Sequence, residues 1–284
     1  MKQPAQEQQE QILGNLFEIA GGSVQGRDHD RIGLNNQDAF AWSCTERAIV
    51  AVVCDGCGSG AHNEVGAWMG ARLTVQILKK LTEKQAYHPS EDLMEHVRQL
   101  LLVQLVSMIK AMGGESNIVI QDFFLFTIVG FIIQPETAAI FTLGDGVFTV
   151  NGHYVHIKYP GNAPPYIGYG FLPQNSTQKS CLPSFKIHWE GRPEDIKSIL
   201  IGTDGVDDLC NSSDKTLPGK TEIIGELSQF WMADAYFTNP YAVQRRLALI
   251  NRISTRYDPA TGRIRQDSGR LSDDTTFIVL RRKS

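Results

Sequence analysis

The chain has no long hydrophobic run, no block of like charge and few cysteines, and each shortage removes a class of protein. Its longest apolar stretch, Phe123 to Ile133, is too short for a membrane helix and has the aromatic and β-branched content of a buried strand. No membrane association is expected. Lysine and arginine are scattered apart from pairs such as Lys79-Lys80 and Arg245-Arg246, and the formal charge is only −4. Without a basic patch, no nucleic-acid partner is expected. Five cysteines (Cys44, Cys54, Cys57, Cys181 and Cys210) are an odd number in a chain of 284 residues. A chain of that size needs no covalent staples, so reduced thiols are expected. Cys54 and Cys57 have C-x-x-C spacing, but no second ligand pair lies nearby. Cys54 is therefore read as the end of a strand and Cys57 as part of a turn. The polar, glutamine-rich start, Met1 to Gln11, lacks the apolar core of a signal peptide, and the cytoplasm is the expected compartment.

What is present is ordinary globular composition, 42% hydrophobic and 20% charged, in a length that can bury one large core. A flexible tail over residues 1–12 and a single domain over 13–284 are expected. Ala48 to Cys54 reads as a buried strand stopped by the glycine-rich turn Asp55 to Gly60. From Asn63, Val65, Met69, Leu73, Ile77 and Leu81 recur every four residues. That spacing predicts a helix with these residues on its buried stripe, widened by Trp68 and Leu78. A second helix is predicted from the cap Ser90, with Glu91 and Asp92 in its first turn, to Gly113-Gly114.

Strands are predicted at Phe123 to Ile133, Thr137 to Leu143, Phe185 to Trp189, Ser198 to Thr203 and Thr275 to Leu280. Val147 to Val150 and His153 to Ile157 flank Asn151-Gly152, a hairpin signal. Helical patterns cover Glu222 to Met232 and Tyr241 to Ser254, and the Gly- and Pro-rich segment from Tyr159 to Pro183 is read as irregular, of the kind that serves as a lid. Two layers of antiparallel strand with helices outside follow from this order, an α+β fold.

Apolar strands repeatedly run into carboxylates: Val53-Cys54 into Asp55-Gly56, Thr142-Leu143 into Gly144-Asp145-Gly146, and Ile201-Gly202-Thr203 into Asp204-Gly205. Asp273-Asp274 directly precedes the last strand. Singly, Asp-Gly pairs are usually turns. Together, strands of neighbouring sheets can bring four carboxylates to one edge, where they repel unless cations lie between them. Hard oxygen donors, with no paired thiolates and no histidine pair at metal spacing, select Mg²⁺ or Mn²⁺ over Zn²⁺. Two such ions could activate a water for attack on phosphorus. An EF-hand reading of Asp204 to Asp208 is set aside, because that segment lacks the alternating ligands and the distal glutamate.

The ordered motifs Asn36-Gln37-Asp38-Ala39, Val53-Cys54-Asp55-Gly56-Cys57-Gly58, Leu143-Gly144-Asp145, Thr203-Asp204-Gly205 and Asp273-Asp274-Thr275-Thr276 resemble the type-2C metal-dependent Ser/Thr protein phosphatases, especially bacterial-style members. The resemblance spans about residues 20 to 283. It implies a four-layer α-β-β-α sandwich of two mainly antiparallel sheets, and a two-metal centre of Mn²⁺ or Mg²⁺ with a third, weaker ion. By it, Asp55 resembles the carboxylate bridging both ions, and the Gly56 carbonyl binds one of them. Asp204 and Asp273 complete the other shell, Asp145 resembles the ligand of the third ion, and Asp38 reaches the metals through water.

The implied partner is a phosphorylated protein, hydrolysed at phosphoserine or phosphothreonine by a monomeric enzyme. A small phosphomonoester is a second substrate class, and a catalytically weak regulatory binding module is the alternative. Gly33 stands where the family usually has a phosphate-binding arginine, leaving His29 as the candidate for that contact. Gly60 stands where a general-acid histidine is common, and His62, two residues on, is the candidate for that role. Gly146-Val147 replaces the usual Ser-Arg after Asp145.

Overall fold

The computed structural model describes residues 13–84, 87–171, 183–259 and 262–283, with Lys84 by its backbone alone. The expected tail, Cys181 and residues 172–182 of the expected lid lie outside the described residues. Strands run β1 (Phe17–Val24), β2 (Asp38–Cys44), β3 (Ile49–Asp55), β4 (Ile128–Ile133), β5 (Ala138–Leu143), β6 (Gly146–Val150) and β7 (His153–Ile157). They continue with β8 (Lys186–Gly191), β9 (Ser198–Gly202), β10 (Ser254–Asp258), β11 (Arg263–Asp267) and β12 (Thr275–Arg282). The helices are α1 (Leu13–Leu16), α2 (Arg27–Ile32), α3 (Asn63–Lys84), α4 (Glu91–Met112), α5 (Ser116–Phe123), α6 (Val206–Cys210), α7 (Gln229–Met232), α8 (Ala235–Thr238) and α9 (Ala242–Ile250).

Two five-stranded sheets form, in the orders β1-β12-β9-β6-β7 and β2-β3-β4-β5-β8. Their strand pairs are antiparallel throughout. The sheets pack face to face. Ala51, Val53, Phe131 and Ile140 of one meet Phe148, Ile199, Ile201 and Ile278 of the other. The intervening residues of β3, Val50, Val52 and Cys54, turn the opposite way and pack beneath α3 and α4. This strand is buried on both faces, which is why its sequence is an unbroken apolar run rather than an alternation. On the far side α6, α7 and α9 cover the other sheet through Val206, Phe230, Val243 and Leu247. The result is the α-β-β-α sandwich, and β6 and β7 turn at Asn151-Gly152 with φ of 52° and 84°, the left-handed pair that a two-residue hairpin needs.

Several expectations are corrected. Phe123 closes helix α5, and the strand begins only at Ile128. Glu222 to Met232 holds only the short α7, and the helix expected over Tyr241 to Ser254 is limited to Ala242–Ile250. Most informative is α3. Val65 and Trp68, expected on the buried stripe, are 41% and 50% exposed, whereas Ala67, Ala71 and Leu78 are buried. Gly66 and Gly70 explain the rotation: a Cβ on Gly66 would lie 1.8 Å from the Phe123 carbonyl oxygen, and one on Gly70 would lie 2.2 Å from the Phe126 ring. The helix presses its small face against this segment, and its bulkier residues at the N-terminal end turn outward. The Ser90 cap is present, its hydroxyl accepting from Leu93 N at 3.2 Å.

Candidate active site

The sandwich brings the strand ends together. Asp38 opens β2 and Asp55 closes β3, and antiparallel pairing sets these two residues opposite each other. In the facing sheet Asp204 follows β9 and Asp273 precedes β12, two strands that pair as neighbours. Thr203 N donates to the Thr276 carbonyl at 3.0 Å, which fixes these two ends in register. Thr203 also ties the sheets to each other, since its hydroxyl donates to Asp38 Oδ2 at 2.7 Å. Asp145 lies where the chain leaves β5 for β6 and so passes from one sheet to the other. Gly56 donates its N–H to the Gln37 carbonyl at 3.1 Å and bridges to Phe126, which holds the glycine-rich turn against the strand end.

Electrostatics show that the five aspartates form one group. The Asp55 carboxyl is held well above its usual range by burial first, and then by Asp38, Asp204, Asp273 and Asp145. Asp38 is raised by burial and by Asp274, against the Thr203 and Thr276 hydroxyl bonds that favour its charged form. Asp145 is pushed up to about 7 by burial and by Asp204. Asp273 stands on the rim, yet burial of its carboxyl and the nearby Asp204 push it to about 6. Carboxylates raised by burial and by neighbouring carboxylates have too little positive charge among them.

A divalent cation fits that deficit, because the donors are hard oxygens and the repulsion is what an ion would offset. Gln37 Oε1 adds a buried oxygen with no hydrogen-bond partner, 3.6 Å from where a Cβ on Gly58 would stand. Among the described residues, no three His, Cys, Asp or Glu side chains stand close enough together to hold an ion as they are. The group is therefore united by its fields and by its place in the fold, not by a closed ligand shell.

The two candidate histidines differ sharply. Asp274, almost fully buried, accepts from Gly26 N at 2.6 Å and Gln37 N at 2.6 Å, and its Oδ2 lies 2.9 Å from His29 Nδ1. The imidazole is thereby oriented with Nε2 toward the glycine-rich turn, 3.7 Å from a Cβ built on Gly58. The His62 side chain is 56% exposed; it lies 3.7 Å from Glu64 and packs at a tilt against Phe123. The first is tied into the aspartate group, and the second faces the α3–α5 surface.

Asp145, Asp204 and Asp273 line, together with His156, Lys158 and Tyr159, a cleft of about 300 Å³. A larger hollow of about 730 Å³ sits at the β4–β5 turn, lined by Tyr87, His88, Gln134 and Glu190. It is at the opposite end of these strands and holds none of the strand-end aspartates, so size does not mark the site.

The sequence profile of the protein phosphatase 2C family matches residues 25–236, a span that includes Asp38, Asp55, Asp145 and Asp204. The chain belongs to the protein phosphatase 2C family. Solved structures agree on the fold. A bacterial serine phosphatase is 14% identical with a TM-score of 0.55, covering 94% of this chain and 98% of that one. The serine/threonine phosphatase Stp1 from Staphylococcus aureus is 15% identical with a TM-score of 0.54, covering 95% and 97%. No curated protein sequence matches significantly. Protein phosphatase 2C enzymes are metal-dependent, in keeping with the unbalanced carboxylates of this chain.

Sequence reasoning about this protein phosphatase 2C chain missed three participants. Asp274 was legible as half of an acidic pair, but its role as the anchor of residues 26–37 needed the fold. Thr203 and Asp207 had no signal beyond lying beside Asp204.

Proposed function

We propose that this chain hydrolyses phosphoserine or phosphothreonine in a protein substrate with the help of two Mn²⁺ or Mg²⁺ ions, a third binding more weakly. The observation that supports this best is the gathering of strand-end aspartates at one end of the sandwich, where burial and neighbouring carboxylates raise Asp38, Asp55, Asp145 and Asp273. Asp55, the Gly56 carbonyl, Asp204 and Asp273 would hold the two ions, with Asp145 and Asp204 at the third position. When bound, such ions would lower the pKa of a coordinated water and offset the charge of the phosphoryl oxygens.

The chain's own groups do the rest. Asp38, fixed by the Thr203 hydroxyl, would orient the attacking water by hydrogen bonding. His29, oriented by Asp274, would donate Nε2–H to a phosphoryl oxygen in its imidazolium form, in which both ring nitrogens are donors. His62 faces Glu64 and Phe123, so the leaving oxygen is not assigned to it.

The test is hydrolysis of p-nitrophenyl phosphate and of a phosphothreonine peptide with Mn²⁺, Mg²⁺ or EDTA, beside Asp204→Ala. Metal-dependent turnover of the peptide that falls at least a hundredfold in the variant supports the proposal. Turnover of the small ester alone points to a small phosphomonoester as substrate. A protein that binds Mn²⁺ and phosphopeptide without hydrolysing either compound is a binding module, and the enzymatic reading fails.

A further inference from the structure

The acidic cleft is also lined by His156 and Lys158, and nothing in the two-metal reading uses them. Tyr154, His156 and Lys158 lie at alternate positions along β7 and just beyond its end, so they share one face of the strand. All three converge on Asp207. The Tyr154 hydroxyl donates to its Oδ1 at 2.5 Å, His156 Nδ1 lies 2.6 Å from its Oδ2, and Lys158 Nζ lies 3.4 Å from the same oxygen. Burial and the bond to Asp207 push the Tyr154 phenol up, which keeps it a donor. Asp207 is itself fixed by the chain's turn out of β9, its N–H donating to the Asp204 carbonyl at 2.9 Å. The row is thus pinned one helical turn from a predicted metal ligand.

The donor count exceeds what Asp207 can use. His156 spends Nδ1–H on the carboxylate and, in its imidazolium form, keeps an Nε2–H to donate, while its side chain is 16% exposed. Lys158 has three N–H donors and one long contact, with a side chain 69% exposed. Both residues line the cleft that also contains Asp145, Asp204 and Asp273. Spare donors lining a cleft are what a phosphate ester needs, and those of the Lys158 ammonium can make charge-assisted bonds to its oxygens, which are the strong ones.

Resting on the phosphatase reading above, we propose that Lys158 and His156, braced by Asp207, bind the oxygens of the substrate's phosphate in the cleft they line together with Asp204 and Asp273. Asp207 is a positioning residue. It sets the two donors in place and leaves the phosphate to them.

The experiment compares wild type, Lys158→Met and His156→Gln with Mn²⁺ present, measuring KM for a phosphothreonine peptide, product inhibition by inorganic phosphate, and phosphate binding by calorimetry. Because Lys158 is exposed, its variant should melt at the wild-type temperature, which separates binding from folding. The expected result is a KM raised about tenfold and phosphate binding and inhibition weakened by a similar factor. Asp207→Asn should show part of the same loss, and Asp207→Glu should recover some of it. A Lys158→Met protein with unchanged phosphate affinity and inhibition overturns the proposal. So does one whose KM rises for the peptide alone, since Lys158 would then read the peptide and not the phosphate. If the wild type turns nothing over, the phosphatase reading fails, and equal phosphate affinity in wild type and Lys158→Met by calorimetry would overturn the role of Lys158 separately.

Discussion

Asp145 is enclosed by Gly144 and Gly146 at the crossing between sheets, and its carboxyl is pushed from 3.8 to about 7 by burial and by Asp204. Asp273 moves the same way, to about 6. Each group holds its proton in the folded chain over a range where the unfolded chain has lost it. The folded state therefore binds more protons from roughly pH 4 to pH 7, and the stability these groups contribute is lost as pH rises through that window. With metal removed by EDTA, the protein should melt at a higher temperature at pH 5 than at pH 7.5. Asp145→Asn, which titrates nowhere in this range, should flatten the difference. Thermal melts across the range check this, and equal slopes in wild type and variant would show that Asp145 is not among the strained carboxylates.

At the scale of elements, α3 shows what a helical period can and cannot report. The recurrence of Val65, Met69, Leu73, Ile77 and Leu81 located the helix at Asn63, where it begins. It misplaced the buried face at the N-terminal end, because Gly66, Ala67, Gly70 and Ala71 carry little hydrophobic weight yet make the contact. Gly70→Val should therefore destabilise the protein by about 1–3 kcal/mol through overpacking against Phe126, whereas Val65→Ser should stay within about 0.5 kcal/mol. Urea midpoints distinguish the two, and a tolerated Gly70→Val would contradict the close approach. The same limit hid other elements. Strand β1 contains the pair Gly21-Gly22, which breaks its pattern, and the run from Phe123 to Ile133 is apolar in both its helical end and its strand. Strands β10 and β11 are mostly exposed, so they leave no alternation to read. By contrast, Asn151-Gly152 and Ser90 were legible because each performs a local task, a left-handed turn and a cap, that few residues can.

For the whole molecule, the two sheets and their helices serve to hold carboxylates from distant parts of the sequence in one field. Asp55, Asp145, Asp204 and Asp273 were legible from the sequence because each sits at a strand end, and stacking two antiparallel sheets brings such ends together, whereas Asp38 was legible only through the family resemblance of its motif. The anchors were not legible: Asp274 on the segment from Gly26 to Gln37, Thr203 on Asp38, and Asp207 on β7 are contacts between elements that no local pattern announces. Among the described residues no helix is long and apolar enough to cross a membrane.

The account stands on the claim that these aspartates are a divalent-metal centre, and calorimetric titration of Mn²⁺ into the wild type and Asp55→Asn tests it most directly. Two tightly bound ions are expected in the wild type, with binding lost or weakened at least a hundredfold in the variant, while at [Mn²⁺] a hundredfold above Kd each bound ion adds about 2.7 kcal/mol to the stability of the wild type. A wild type that takes up no Mn²⁺, or a variant that binds it as tightly, would contradict the account.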